Sequence, residues 1–162
     1  MKLDYKQLFA VFIILTFIAP LIGLFLQPGT ITGDVAYADA VGGFKDTNRT
    51  AVFENGSLIV WLFGTTTCPH CTWEKPVLED VVDNFSNVTL KVYYLDNQAD
   101  IAKMSSFEAQ IFQEYSDGSV PLIVIGNKYF RIGSGENSGA EQEKQYVSEL
   151  IRSLLPVHGQ TV

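Results

Sequence analysis

The sequence predicts an α/β fold, a central mixed sheet flanked by helices, following an N-terminal transmembrane helix. Three observations predict it. Short apolar runs rich in β-branched residues alternate with segments of helical period. The first run, Ser57 to Phe63 (SLIVWLF), is continuous enough to be buried on both faces. A separate stretch of 19 uncharged residues, Leu8 to Leu26, stands apart at the N-terminus.

After Ser57–Phe63, Val77, Leu78, Val81, Val82 and Phe85 recur at three and four, which predicts a helix from Pro69 to Phe85. Pro69 suits its first turn, and Pro76 should kink it. Val88 to Leu95 alternates as a strand. Ile101, Met104, Ile111, Phe112 and Tyr115 mark a helix from Asp100 to Tyr115, with Met104 as core packing. Val120 to Ile125 and Lys128 to Ile132 read as strands joined by a Gly126-Asn127 hairpin turn. The last helix runs from Ser138 to Leu155, with Ser138 and Glu141 fitting a capping box. Parallel strands joined by helical crossovers lie in one sheet, and the hairpin adds an antiparallel edge.

Four segments follow: an anchor over 1–27, a flexible tether over 28–47, the folded domain over 48–156 and a tail over 157–162. At 1.5 Å per residue the uncharged stretch matches a bilayer core. A cleaved signal peptide is the rival reading. Its apolar region is usually shorter, and the Ala36-Tyr37-Ala38 pattern lies 10 residues beyond Leu26, so a retained anchor is favoured. A buried core helix is disfavoured by the lack of a polar face. Lys2 and Lys6 precede the stretch and no basic residue follows until Lys45, which orients the domain outward. Four Asn-x-Ser/Thr sequons, at Asn48, Asn55, Asn84 and Asn87, agree with an extracytoplasmic face. Random placement would give about one. The rival account is chance or loop composition, since Asn, Ser and Thr gather in turns.

The net charge is −7, from 11 basic and 18 acidic residues, which argues against a nucleic-acid partner. The two cysteines form one unit, Cys68-Pro69-His70-Cys71. If a helix begins at Pro69, its unpaired N–H groups and dipole favour a thiolate at Cys68. The Cys68 thiol is then expected to ionise below its free value. His70 can help by hydrogen bonding or by carrying positive charge. Cys71, one turn later, faces inward and can close a disulfide, so the unit holds a nucleophile and a resolving thiol. A purely structural disulfide closing so short a loop would do little for stability. Zinc is poorly served by two cysteines with His70 between them and His158 far away, so no metal is expected. Haem attachment needs His directly after Cys71, where Thr72 stands. Glu74 could accept a proton from Cys71, but a solvated charge is the expected state for it, as for Glu79, Asp80 and Asp83.

These residues resemble the thioredoxin superfamily over about Ser57 to Leu155. The CPHC motif follows the first strand and opens a helix, Pro76 lies five positions after Cys71, and Val120-Pro121 begins the third strand. The Pro69-His70 dipeptide and the valine before Pro121 are similar to the DsbA branch of disulfide oxidants. The resemblance implies a cis bond at Val120-Pro121, an exposed nucleophile at Cys68 and a buried Cys71. It also implies that Val120 pairs through its backbone with an extended substrate while Pro121 packs beside the disulfide. Two departures stand out. The interval Asp96 to Ser119 holds about one helix rather than the DsbA-type insertion, and Leu62 stands where thioredoxins have a buried Asp.

The expected function is thiol–disulfide oxidoreduction on protein substrates outside the cytoplasm, acting as an oxidant through Cys68 and Cys71, with Pro69 and His70 activating. No cofactor beyond the redox-active disulfide is needed. The resemblance implies a membrane partner, a quinone-linked oxidase resembling DsbB or the vitamin K epoxide reductase family. The rivals are a reductase in the same compartment and a non-catalytic module that binds peptides or delivers copper.

Overall fold

The computed structural model describes residues 37–156. The expected anchor over 1–27, the first part of the tether (28–36) and His158 in the tail lie outside that range. Among the described residues no helix is long and apolar enough to cross a membrane.

Seven strands form one mixed sheet: β1 (Ala38–Asp39), β2 (Lys45–Asp46), β3 (Phe53–Glu54), β4 (Ser57–Gly64), β5 (Val88–Tyr94), β6 (Leu122–Ile125) and β7 (Tyr129–Ile132). The helices are α1 (Pro69–Val82), α2 (Gln98–Ile101), α3 (Ser106–Tyr115) and α4 (Ala140–Leu154). The order across the sheet is β1-β2-β7-β6-β4-β3, with β5 also pairing β4. β4 and β5 are parallel, as a helical crossover requires, and β6 and β7 are antiparallel to their neighbours.

β4 is central because its side chains serve two cores in alternation. Leu58, Val60 and Leu62 pack with Leu78 and Val81 of α1 and Val147, Leu150 and Ile151 of α4. Ile59, Trp61 and Phe63 point the other way, toward Ile111 and Tyr115 of α3. Burying both faces explains the unbroken apolar run. At the β6–β7 turn, Gly126 and Asn127 both take positive φ, 59° and 58°, as a two-residue hairpin of this type demands.

Four expectations are corrected. Residues 37–47 are not the end of a tether: Lys45–Asp46 pairs with Tyr129–Phe130, and Phe44 is fully buried in the core. Its glycine-punctuated apolar residues lack periodicity, so sequence pattern does not reveal them. β7 is therefore not the edge strand. The helix over Asp100–Tyr115 is two helices, because a capping box at Ser105 and Glu108 restarts it. The box expected at Ser138 and Glu141 does not form. Ser138 lies in a single 3₁₀ turn, Glu136–Ser138, and Gly139 precedes α4 without a side-chain cap.

Candidate active site

The strand-to-helix junction after β4 builds the site. Gly64 ends the strand close against Cys71: a Cβ there would lie 3.0 Å from the Cys71 Sγ. The following loop is held from β5's end of the sheet. Asp96 accepts the Thr66 backbone N–H at 2.9 and 3.0 Å, and also the Thr66 hydroxyl. Those bonds, the hydroxyl's first, hold the Asp96 carboxyl below its usual range. The chain then enters α1 with Cys68 as its N-cap and Pro69 in the first turn.

Cys68 and Cys71 form a disulfide, with Cα atoms 5.3 Å apart. The Cys71 backbone N–H donates to the Cys68 Sγ at 3.1 Å. The sulfur thus occupies the place where a helix start offers donors to an anion. Cys71 is fully buried and Cys68 is partly accessible. The Thr72 N–H and hydroxyl both donate to the Cys68 carbonyl, fixing the first turn. His70 is exposed, and its Nδ1 meets Glu136 Oε2 at 2.8 Å. Its ring partner among the described residues is that carboxylate, not the Cys68 sulfur.

The Val120-Pro121 bond is cis. Phe63 of β4 stands opposite Leu122 of β6, so continuing the register sets Gly64 opposite Pro121. The proline is thus brought to the strand end against which Cys71 packs. Pro121 is buried and Val120 half-buried. The Pro121 carbonyl accepts from Gly133, whereas Val120 makes no main-chain hydrogen bond among the described residues. A groove of about 410 Å³ also opens beside Leu95, which follows β5, and is lined by Ile101, Met104 and Phe112. Met104 thus borders a surface as well as the core.

Glu74 is not a solvated charge. It is fully buried on α1, three residues after Cys71. Its Oε2 accepts the Gly135 N–H at 2.9 Å, and the Arg131 guanidinium lies 3.4 Å away. Arg131 also forks onto buried Glu143 and donates to the carbonyls of Gly42 and Gly133. Its guanidinium stacks 4.5 Å over the Phe44 ring. Two carboxylates thus share one cation. Burial pushes Glu74 up to about 7, against the pull of Gly135 and Arg131 and with Glu143 adding to the rise.

A third buried carboxylate, Glu108, serves the opposite face. It accepts from Lys91 at 2.9 Å, Tyr93 at 2.8 Å, Trp61 at 3.2 Å and both the N–H and hydroxyl of Ser105. Burial alone would raise its pKa, but these bonds, Lys91 foremost, bring it down to about 2. Sequence reasoning missed all three roles, although a signal was present. Glu74 sits in step with Cys71 and Leu78, Glu143 with Val147 and Leu150, and Glu108 with Ile111 and Tyr115. Each acid occupies an apolar stripe, where a charge must find partners.

No family model matches the chain, and no curated protein matches it. Solved structures do. The oxidised PaDsbA1 is 13% identical, with 73% of this chain and 96% of that one covered and a TM-score of 0.50. NmDsbA1 from N. meningitidis is 12% identical over 72% and 97%, with a TM-score of 0.45. An uncharacterised thioredoxin-like protein from Clostridium perfringens is 22% identical over 67% and 80%, with a TM-score of 0.45. Strand order, the disulfide at the first crossover helix and the likeness to PaDsbA1 define a thioredoxin-like α/β fold carrying a CxxC pair.

Proposed function

We propose that this chain is a membrane-anchored thiol–disulfide oxidoreductase, working outside the cytoplasm and oxidising protein substrates. The observation that carries the reading is the Cys71 N–H aimed at the Cys68 sulfur from the start of α1. That donor stabilises a Cys68 thiolate, which stabilises the reduced enzyme and makes the disulfide oxidising. The uncharged run Leu8 to Leu26, with Lys2 and Lys6 before it, supports the location.

A substrate thiolate attacks the Cys68 sulfur. The Cys68–Cys71 bond breaks, and Cys71 leaves with the electron pair. The substrate's second thiol then loses its proton and attacks the mixed disulfide at the substrate sulfur. Cys68 leaves as a thiolate, the substrate is oxidised by two electrons, and the enzyme is reduced by two. Val120, which makes no main-chain hydrogen bond among the described residues, is suited to pair with the substrate backbone, and Pro121 would lie beside the disulfide. Glu74 offers a buried group that titrates near neutrality close to the resolving cysteine, where Leu62 offers none. A quinone-linked membrane oxidase would restore the disulfide.

The test is a titration of Cys68 thiolate absorbance with pH, followed by equilibration with glutathione. The reading expects a pKa well below 8 and a potential well above thioredoxin's. A pKa near 8.5, or a potential near −270 mV, would overturn the oxidant role in favour of a reductase. Wild-type turnover no greater than that of Cys68→Ser would remove catalysis by this pair and leave a binding module.

A further inference from the structure

The four sequons lie at one pole of the domain. Asn55 and Gly56 form the turn between β3 and β4, immediately before β4 begins at Ser57. Asn84 and Asn87 precede β5, which runs parallel to β4, and the Asn87 carbonyl accepts the Leu58 N–H. Asn48 follows β2. Its neighbour Thr47 bonds to the carbonyls of Asn127 and Lys128 at the β6–β7 turn, and Gly126 of that turn donates to the Ile59 carbonyl. All four therefore sit at the beginning of β4, whereas Cys68 follows its end. The strand's eight residues separate the two poles by roughly 23 Å.

Two of the four are presented better than the rest. Asn48 and Asn55 are exposed, and both adopt a positive φ, 57° and 51°, on tight turns. Among the described residues neither side-chain amide makes a hydrogen bond. Asn84 is engaged, its Nδ2 donating to the Asp80 carbonyl at 2.6 Å, and Asn87 is half-buried.

We propose that Asn48 and Asn55 carry N-linked glycans, forming a glycosylated pole opposite the Cys68–Cys71 disulfide. This rests on the domain facing the extracytoplasmic side. The donor is an oligosaccharide carried on a lipid diphosphate and transferred by a membrane oligosaccharyltransferase. The asparagine Nδ2 bonds to C1 of the first sugar, the C1–oxygen bond to the diphosphate breaks, the lipid diphosphate leaves with the electron pair, and the amide loses one proton. The geometry keeps bulky saccharide away from the partly accessible Cys68 and from Val120.

The test is mass spectrometry of the full-length chain from the membranes of its own host, intact and after proteolysis. Saccharide mass is expected on the peptides holding Asn48 and Asn55. Thr50→Ala should remove the first and Ser57→Ala the second, leaving disulfide exchange unchanged; altering the hydroxyl partner spares the left-handed turn. Protease accessibility on intact cells, measured alongside, fixes the side of the membrane. An exported chain with unmodified Asn48 and Asn55 overturns the proposal and leaves the redox reading standing. A chain that is inaccessible and unmodified overturns both this proposal and the extracytoplasmic location.

Discussion

Arg131 grips Glu143 through two bonds, at 2.7 and 2.9 Å, in a site from which water is almost excluded. That fork commits the guanidinium to one carboxylate and leaves Glu74 with the weaker 3.4 Å approach. Removing Arg131 would strand both acids. Arg131→Ala is expected to cost about 3–5 kcal/mol. Urea unfolding at neutral pH measures it, and a loss below about 1 kcal/mol would contradict the account.

Glu74 should make stability fall as pH rises. Its folded pKa, about 7, exceeds the ordinary 4.5, so the folded chain holds more protons between those values. Its contribution is complete below pH 4.5 and declines as pH climbs to 7. Glu74→Gln should flatten this part of the stability profile. A profile from denaturant midpoints that is the same in both proteins would count against a buried proton at Glu74.

Glu108 behaves oppositely. Its folded pKa, about 2, lies below 4.5, so its stabilisation is present above pH 4.5 and is lost as pH falls toward 2. The shift corresponds to roughly 3 kcal/mol. Glu108→Gln should lose about that much at pH 7 and show a shallower acid limb. Circular dichroism followed against pH separates the two proteins.

Gly64→Ala tests the packing beneath the disulfide. The added methyl would meet the Cys71 Sγ at 3.0 Å and its Cβ at 3.1 Å. Displacing Cys71 is expected to cost about 1–3 kcal/mol and to slow disulfide exchange. Wild-type exchange rates in this variant would show that the junction tolerates the shift.

The sheet and the disulfide site were legible because their signals are local. β4 reads as one apolar run, the hairpin rests on Gly126-Asn127, and CPHC with Pro76 and Val120-Pro121 has fixed spacing. The carboxylate cluster was not, because its members are distant in sequence. Nothing near Glu74 announces Arg131 or Glu143, and the helix stripe that marks Glu74 as inward reads equally as an amphipathic face with one polar intrusion. Residues 37–47 were hidden for another reason. Two-residue strands have no measurable alternation, so Lys45–Asp46 gains its identity from its pairing with β7 and β1.

Those short strands bear on how the flank of the sheet is protected. A bare β7 would be a template for any extended polypeptide, and runaway cross-strand association is the common outcome. Here Lys45–Asp46 takes the pairing positions opposite Tyr129–Phe130, and Ala38–Asp39 continues outward for only two residues with Asp39 ion-paired to Lys45. Among the described residues, that flank offers a blunt, charged rim instead of a ladder to extend.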